Sequence, residues 1–189
     1  SRSDWPGYDF LMQAEAGIMS LTGEPGAPPA RVGLSMIDYM TGMMMAFGFV
    51  SAIRKAEQDG IGCDVDVSLF DAALHQLAYQ GTWYLNEHIE TERIARSAHP
   101  SSVPVQLFSS ADGWLYVCCM NQKFWEILIK IIGMEELGQD ARFAAMDART
   151  QHRDILTGIL DEVFKTRTNA EWVKQFKGLI PVAPVENVG

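Results

Sequence analysis

The chain has 189 residues, 48% of them hydrophobic and 21% charged, with a formal net charge of -9. That acidity excludes a nucleic-acid binder relying on phosphate neutralisation, but not an anionic small molecule held in a cleft whose local field overrides the global sum. Cys63, Cys118 and Cys119 are odd in number and lack zinc-ligand spacing, so they predict reduced thiols, a cytoplasmic setting and no disulfide framework.

In chain order, Ser1 to Asp9 reads as a loop without the basic-then-apolar pattern of a signal peptide. Asp9 to Leu21 places Phe10, Leu11, Ala14, Ile18 and Leu21 at helical spacing, which predicts a helix. Thr22 to Pro29 can be neither helix nor central strand. Gly33 to Ile53 then carries a single charge, Asp38, among apolar residues on every side of a 3.6-residue wheel, predicting a helix buried all round. Its methionines, Met36, Met40, Met43, Met44 and Met45, read as adaptable core filler. The uncharged run from Tyr39 to Ile53 holds Gly42 and Gly48 and falls short of the roughly 20 residues of a membrane span, so no membrane partner is expected.

An aspartate at the start of such a helix needs a reason, because an unpaired buried charge is costly. Ser35 to Asp38 fits a capping box, in which Asp38 reaches back to a first-turn N–H. The other reading makes Asp38 a reactive carboxylate, kept ionised by the helix end and aimed into a cleft. Ser68 to Asp71 repeats the spacing before another helix, so the pattern alone does not choose.

Arg54 to Gln58 followed by Gly60 is a helix stop. Cys63 to Leu69 alternates apolar and acidic residues and predicts a strand; Ser68 then caps a helix running through Leu74, Leu77, Trp83 and Leu85. His75 on that helix reads as a hydrogen-bonded structural residue. The polar stretch Asn86 to Ser102 predicts an inter-domain connection. Val103 to Met120 reads as two strands turning at Ala111-Asp112-Gly113. Helices are expected at Phe124 to Ile132, Ile155 to Phe164 and Ala170 to Phe176, the last capped by Thr168 or Asn169, with an extended close at Pro181 to Pro184. The five tryptophans read as core anchors. Nucleotide-loop, zincin and nucleophile-elbow signatures are all missing, and no metal site is expected.

The order of the segments resembles the class III CoA-transferases, formyl-CoA transferase and its relatives. The first half carries Gly7-Tyr8-Asp9, Gln13-Ala14, Thr22-Gly23, Gly33 to Asp38 with Gly42, Gly60 with Gly62, and Val65 to Leu69. The second half carries His99-Pro100, Val103-Pro104 with Gln106 and Phe108, Ala111 to Trp114, Arg142-Phe143, Arg149, Glu171-Trp172 and Pro181 to Val185. No one piece is specific; the ordered set is.

The resemblance implies an α/β fold from a family of interlocked dimers. Residues 1–95 would be the later part of a large CoA-binding domain, 96–182 a small α/β domain and 183–189 the start of a return to the first. Chains of the family are much longer, so the sequence is expected to be a piece lacking both ends and inactive alone. The resemblance makes Asp38 the nucleophile that carries acyl groups between an acyl-CoA and a small carboxylic acid. It places Tyr8, Asp9, Gln13, Gly42, Leu69 and His99 at the substrate and CoA site. Coenzyme A enters as substrate, with no tightly bound cofactor.

The α-methylacyl-CoA racemases share this fold and aspartate but use a histidine where Tyr8 stands, and a phenol is a poor acid/base at carbon. Transferase is therefore favoured over racemase, with a non-catalytic dimerisation module as the third reading. Where some members carry a run of glycines over the active site, this chain has Arg96-Ser97-Ala98-His99-Pro100.

Overall fold

In the computed structural model, which describes residues 4–189, the chain divides between Arg93 and Ile94 into two units, each with its own core. Ser1, Ser3 and Arg2 of the expected opening loop lie outside the described residues. Together the units form a mixed helix-and-sheet fold.

The first unit is helical. Where one helix is expected there are two, α1 (Asp9–Glu15) and α2 (Ile18–Leu21), because Gly17 between them takes φ 87°, a left-handed conformation that interrupts the ladder. The long helix α3 spans Met36–Asp59 and ends as the sequence indicates, on Gly60 at φ 71°. Helix α4 (Leu69–Gln76) is capped by Ser68, whose hydroxyl accepts from the Asp71 N–H at 3.0 Å. The single helix expected beyond Ser68 breaks at Ala78, φ 48°, where α5 (Ala78–Glu87) begins. Ile37, Ala16, Ile18, Ala72 and Ala73 form the buried core, with Met12, Met36, Met44 and Leu69 packed against it.

Three further expectations fail in this unit. Cys63 to Leu69 is not a strand, since no strand among the described residues pairs with it. The alternation is real for another reason: Val65 and Val67 are half-buried while Asp64 and Asp66 are exposed. Val65 comes so close to α3 that a Cβ on Gly48 would lie 2.7 Å from its Cγ1. Helix α3 is also not buried all round. Only Ile37 is buried, and Tyr39, Met43, Phe47 and Val50 are exposed. A helix wheel reports that a surface must be covered, not which chain covers it; α1 and α4 reach only part of α3. By length and composition alone α3 could also cross a membrane, unlike the shorter uncharged run considered above. His75, finally, is exposed and its imidazole has no hydrogen-bond partner among the described residues.

The second unit holds an antiparallel three-stranded sheet in the order β1 (Val105–Ser109), β2 (Trp114–Cys118), β3 (Val182–Pro184). The β1–β2 turn falls where the sequence places it, with the Ser110 N–H donating to the Gly113 carbonyl at 2.9 Å. Pro184 cannot donate to a ladder, which fits the edge position of β3. Helices α6 (Gln122–Ile131), α7 (Met146–Gln151), α8 (Arg153–Phe164) and α9 (Asn169–Phe176) complete the unit. Phe164 anchors an aromatic cluster, 4.8 Å from Phe108 and 5.1 Å from Trp172 between ring centroids. Trp125 and Trp172 are buried core anchors, but Trp5 and Trp114 are exposed, so the tryptophan expectation holds for only part of the set.

Helix α9 begins with a complete capping box. Thr168 Oγ1 accepts from the Glu171 N–H at 3.3 Å, and Glu171 Oε2 accepts from the Thr168 N–H at 2.9 Å. The backbone bond first, then the Thr168 hydroxyl, holds Glu171 below the ordinary carboxylate value of 4.5. A depressed folded pKa gives stability that is present above that ordinary value and is lost as pH falls through the depressed one. Thr168→Ala is expected to lower stability by about 1 kcal/mol at pH 7. Denaturant titrations from pH 7 to pH 3 should show that difference shrinking as Glu171 protonates.

Candidate functional site

The start of α3 is held from outside its own turn. Asp9, on α1, sends Oδ2 to the backbone N–H groups of Ile37 at 2.6 Å and Asp38 at 3.1 Å. Its other oxygen accepts from Gln13 Nε2 at 2.5 Å, one helical turn along α1. Gln13 Oε1 in turn accepts from the Val32 N–H at 2.9 Å, and Gln13 Nε2 also reaches the Leu34 carbonyl at 3.3 Å. Asp9 is 2% exposed and Gln13 0%. A carboxylate with three donors at a helix N-terminus is satisfied in the interior, where an unpaired one would not be.

This overturns the capping-box reading of Ser35 to Asp38. Ser35 makes no side-chain cap bond, and the cap comes from Asp9. The Asp38 carboxylate has no hydrogen bond or ion pair among the described residues, and the residue is exposed. It therefore stands at the positive end of a 24-residue helix with its side chain uncommitted.

Tyr8, the residue before Asp9, has extended backbone and is 66% exposed. Gly42 lies one turn beyond Asp38, and a Cβ there would meet nothing within 4 Å, so within this unit it leaves open space and makes no close packing. Leu69, half-buried at the start of α4, sits beside Gly7, where an added Cβ would be 3.4 Å from Leu69 Cδ1. The first unit thus gathers Tyr8, Asp9, Gln13, Leu69 and the first turns of α3. A cavity of about 560 Å³ lies elsewhere in this unit, lined by Ala16, Leu21, Leu74, Leu77, Tyr84 and Ile89, and none of the expected site residues lines it.

His99 belongs to the second unit. Its carbonyl accepts from Arg153 Nη2 at 2.8 Å, and its Nδ1 accepts from the Ser101 N–H at 3.2 Å, which places the neutral ring's proton on Nε2. Burial first, then the Arg153 charge, pushes its pKa down, so the imidazole is neutral at physiological pH. Just before it, Arg96 and Ser97 take φ 63° and 52°, a region that costs glycine little and other residues more. An ion pair from Arg96 to Asp161 and a 3.2 Å bond from the Tyr116 hydroxyl to the Ser97 carbonyl pin that conformation. The sequence marks the segment by its polarity, by His99-Pro100 and by its lack of glycine, but its anchors are not visible there.

The thiols are poor alternatives as nucleophiles in the second unit. Burial pushes Cys119 up to about 12 and raises Cys118 as well, so neither is a thiolate at neutral pH. No group of His, Cys, Asp and Glu among the described residues could hold a metal ion. What the geometry offers is an exposed carboxylate at a rigid helix start, with room beside it for a bulky adduct.

The sequence profile of CoA-transferase family III matches residues 1–189. An acyl-CoA transferase of Fusarium pseudograminearum is 36% identical over 183 residues, 96% of this chain and 40% of the relative. The acetyl-CoA:oxalate CoA-transferase of Acetobacter aceti is 33% identical over 186 residues, 97% of this chain and 48% of the relative. A solved structure of a CAIB/BAIF family protein from Brucella suis superposes with a TM-score of 0.82 at 33% identity, covering 100% of this chain and 50% of that one. The chain spans about half the length of the relatives it matches.

Proposed function

The chain belongs to CoA-transferase family III, and from that membership we propose that the protein moves CoA from an acyl-CoA donor to a small carboxylic acid through Asp38. The observation that carries this reading is the uncommitted Asp38 carboxylate at the mouth of a helix whose N–H groups Asp9 has already taken. The names of the relatives, one of them an acetyl-CoA:oxalate CoA-transferase, support the substrate class.

The chemistry balances without an added oxidant, reductant or net proton. An Asp38 oxygen attacks the thioester carbonyl carbon, the C–S bond breaks, and CoA leaves as thiolate from a mixed anhydride. The thiolate then attacks the aspartyl carbonyl of that anhydride, releasing the donor carboxylate and leaving an Asp38–CoA thioester. The acceptor carboxylate displaces the thiolate to form a second anhydride. Attack of the thiolate on the acceptor acyl carbon gives the new acyl-CoA and restores Asp38. A carboxylate suits this sequence because each adduct keeps the acyl group activated. The open space at Gly42 would admit the thioester beside α3.

Tyr8 lines this site in the proposal, and its phenol is a poor acid/base for exchanging a proton at carbon. The exposed apolar side of α3, with Tyr39, Met43, Phe47 and Val50, is read as a surface covered in an assembled homodimer. Incubating the protein, with the flanking sequence its gene encodes, with an acyl-CoA, a carboxylic acid and D₂O tests the reading. CoA transfer without deuterium at the α-carbon is expected. Deuterium uptake without transfer would make the protein a racemase instead.

A further inference from the structure

We propose that Asp9 and Gln13 are positioning residues: they form a clamp that fixes Asp38 relative to Tyr8. The inference rests on the reading of Asp38 as nucleophile and goes beyond it by assigning these two residues a role other than substrate contact. Neither can touch a ligand directly, since both side chains are buried. Their bonds run instead to backbone, tying three pieces of chain together: α1, the Val32–Leu34 loop and the first turn of α3.

The connectivity is short. Tyr8 is joined to Asp9 by one peptide bond, and the Asp9 carboxylate holds the Asp38 N–H through one hydrogen bond. The Asp38 backbone dihedrals, and with them the direction of its side chain, are therefore referred to the same atom group that carries Tyr8. Because Asp9 supplies the cap, the nucleophile is spared that duty. A charged residue that capped its own helix would have to give up the bond to attack. Here the two tasks are divided between two carboxylates.

The test uses Asp9→Asn, Gln13→Glu and the double variant in the protein with its flanking sequence. In Asp9→Asn the new amide N–H₂ faces the Gln13 amide donor, and in Gln13→Glu two carboxylates face each other. In the double variant the Asn oxygen still accepts from Ile37 and Asp38, its amide donates to the new carboxylate, and the Val32 N–H keeps an acceptor. Only the long contact to the Leu34 carbonyl, at 3.3 Å, is lost.

Each single variant is expected to slow single-turnover formation of the acyl adduct roughly 100-fold, as misplacement of a reacting group by about 1 Å does, with acyl-CoA affinity unchanged. Amide exchange at Ile37 and Asp38 should speed up in both, and the double variant should recover most of the rate and the protection. Faster exchange with an unchanged adduct rate would reduce the clamp to a structural cap and overturn the proposal. So would unchanged exchange, or a double variant no better than the singles. A wild-type protein that forms no adduct, while its amides behave as described, would instead overturn the assignment of Asp38 as nucleophile, and the positioning role with it.

Discussion

Asp38→Ala is expected to abolish adduct formation and lower kcat by at least roughly 10³-fold, in line with the loss of other covalent nucleophiles. Stability should change by no more than about 1 kcal/mol, the value of an acidic side chain near a helix N-terminus. The contrast follows from the division of labour at α3. The Asp38 side chain bonds nothing among the described residues, whereas Asp9 satisfies two backbone amides and Gln13. Asp9→Ala should therefore destabilise by about 2–4 kcal/mol, since it strands buried donors. Kinetics and urea unfolding of the two variants, measured side by side, check the pair. If Asp38→Ala were the more destabilising and Asp9→Ala the milder, the assignment of cap and nucleophile would be reversed.

Arg149→Ala is expected to destabilise the second unit by about 3–5 kcal/mol. The guanidinium is fully buried and has no hydrogen-bonded carboxylate partner among the described residues. Its Nε donates to the Val103 carbonyl at 2.8 Å, and Nη1 donates to the Phe143 carbonyl at 2.8 Å and to Gln122 Oε1 at 3.1 Å. Its carbon centre lies 4.9 Å from the Trp125 ring centroid. Burial lowers its pKa, but arginine starts so high that it remains a cation. Truncation strands two buried carbonyls and opens a void beside Trp125. Arg149→Lys should rescue little, because an ammonium on a flexible stem cannot reproduce the planar fork. Tryptophan fluorescence during urea unfolding reads the midpoint through Trp125 and Trp172. A shift equivalent to less than about 1 kcal/mol would show that the surrounding carbonyls find other donors.

The second unit was the more legible in the sequence. Its hairpin, helices α6, α8 and α9 and the Thr168 cap obey local rules: alternation, a glycine-bearing turn, helical spacing and a Thr with Glu three residues on; α7 had no such signal. The core that those rules serve lies within the unit, so nothing outside had to be guessed. Arg149 stood in the motif set, but its role as the hub of a buried network depends on carbonyls far away in sequence.

In the first unit, local pattern misled where satisfaction came from a distance. Phe10 and Leu11 stood at the helical spacing that predicts α1, yet they are exposed while Asp9 and Gln13 are buried. Three donors make that burial acceptable, and two of them lie 28 and 29 residues away. The capping-box spacing at Ser35 to Asp38 was a true marker of a helix start but named the wrong cap. The apolar wheel of α3 was likewise a true marker of surface in need of cover. It said nothing of where the cover comes from, and α1 and α4 supply only part of it. Cys63 to Leu69 alternates because one side faces α3, and alternation alone does not distinguish that from a sheet.

The central claim is that Asp38 becomes covalently loaded. The direct measurement is to incubate the protein, with its flanking sequence, with an acyl-CoA, trap the adduct with hydroxylamine or borohydride, and map the modified peptide by mass spectrometry. Modification on the peptide carrying Met36–Asp38, absent from Asp38→Ala, is the expected result. Modification at another residue, or none at any acyl-CoA concentration that supports turnover, would contradict the account.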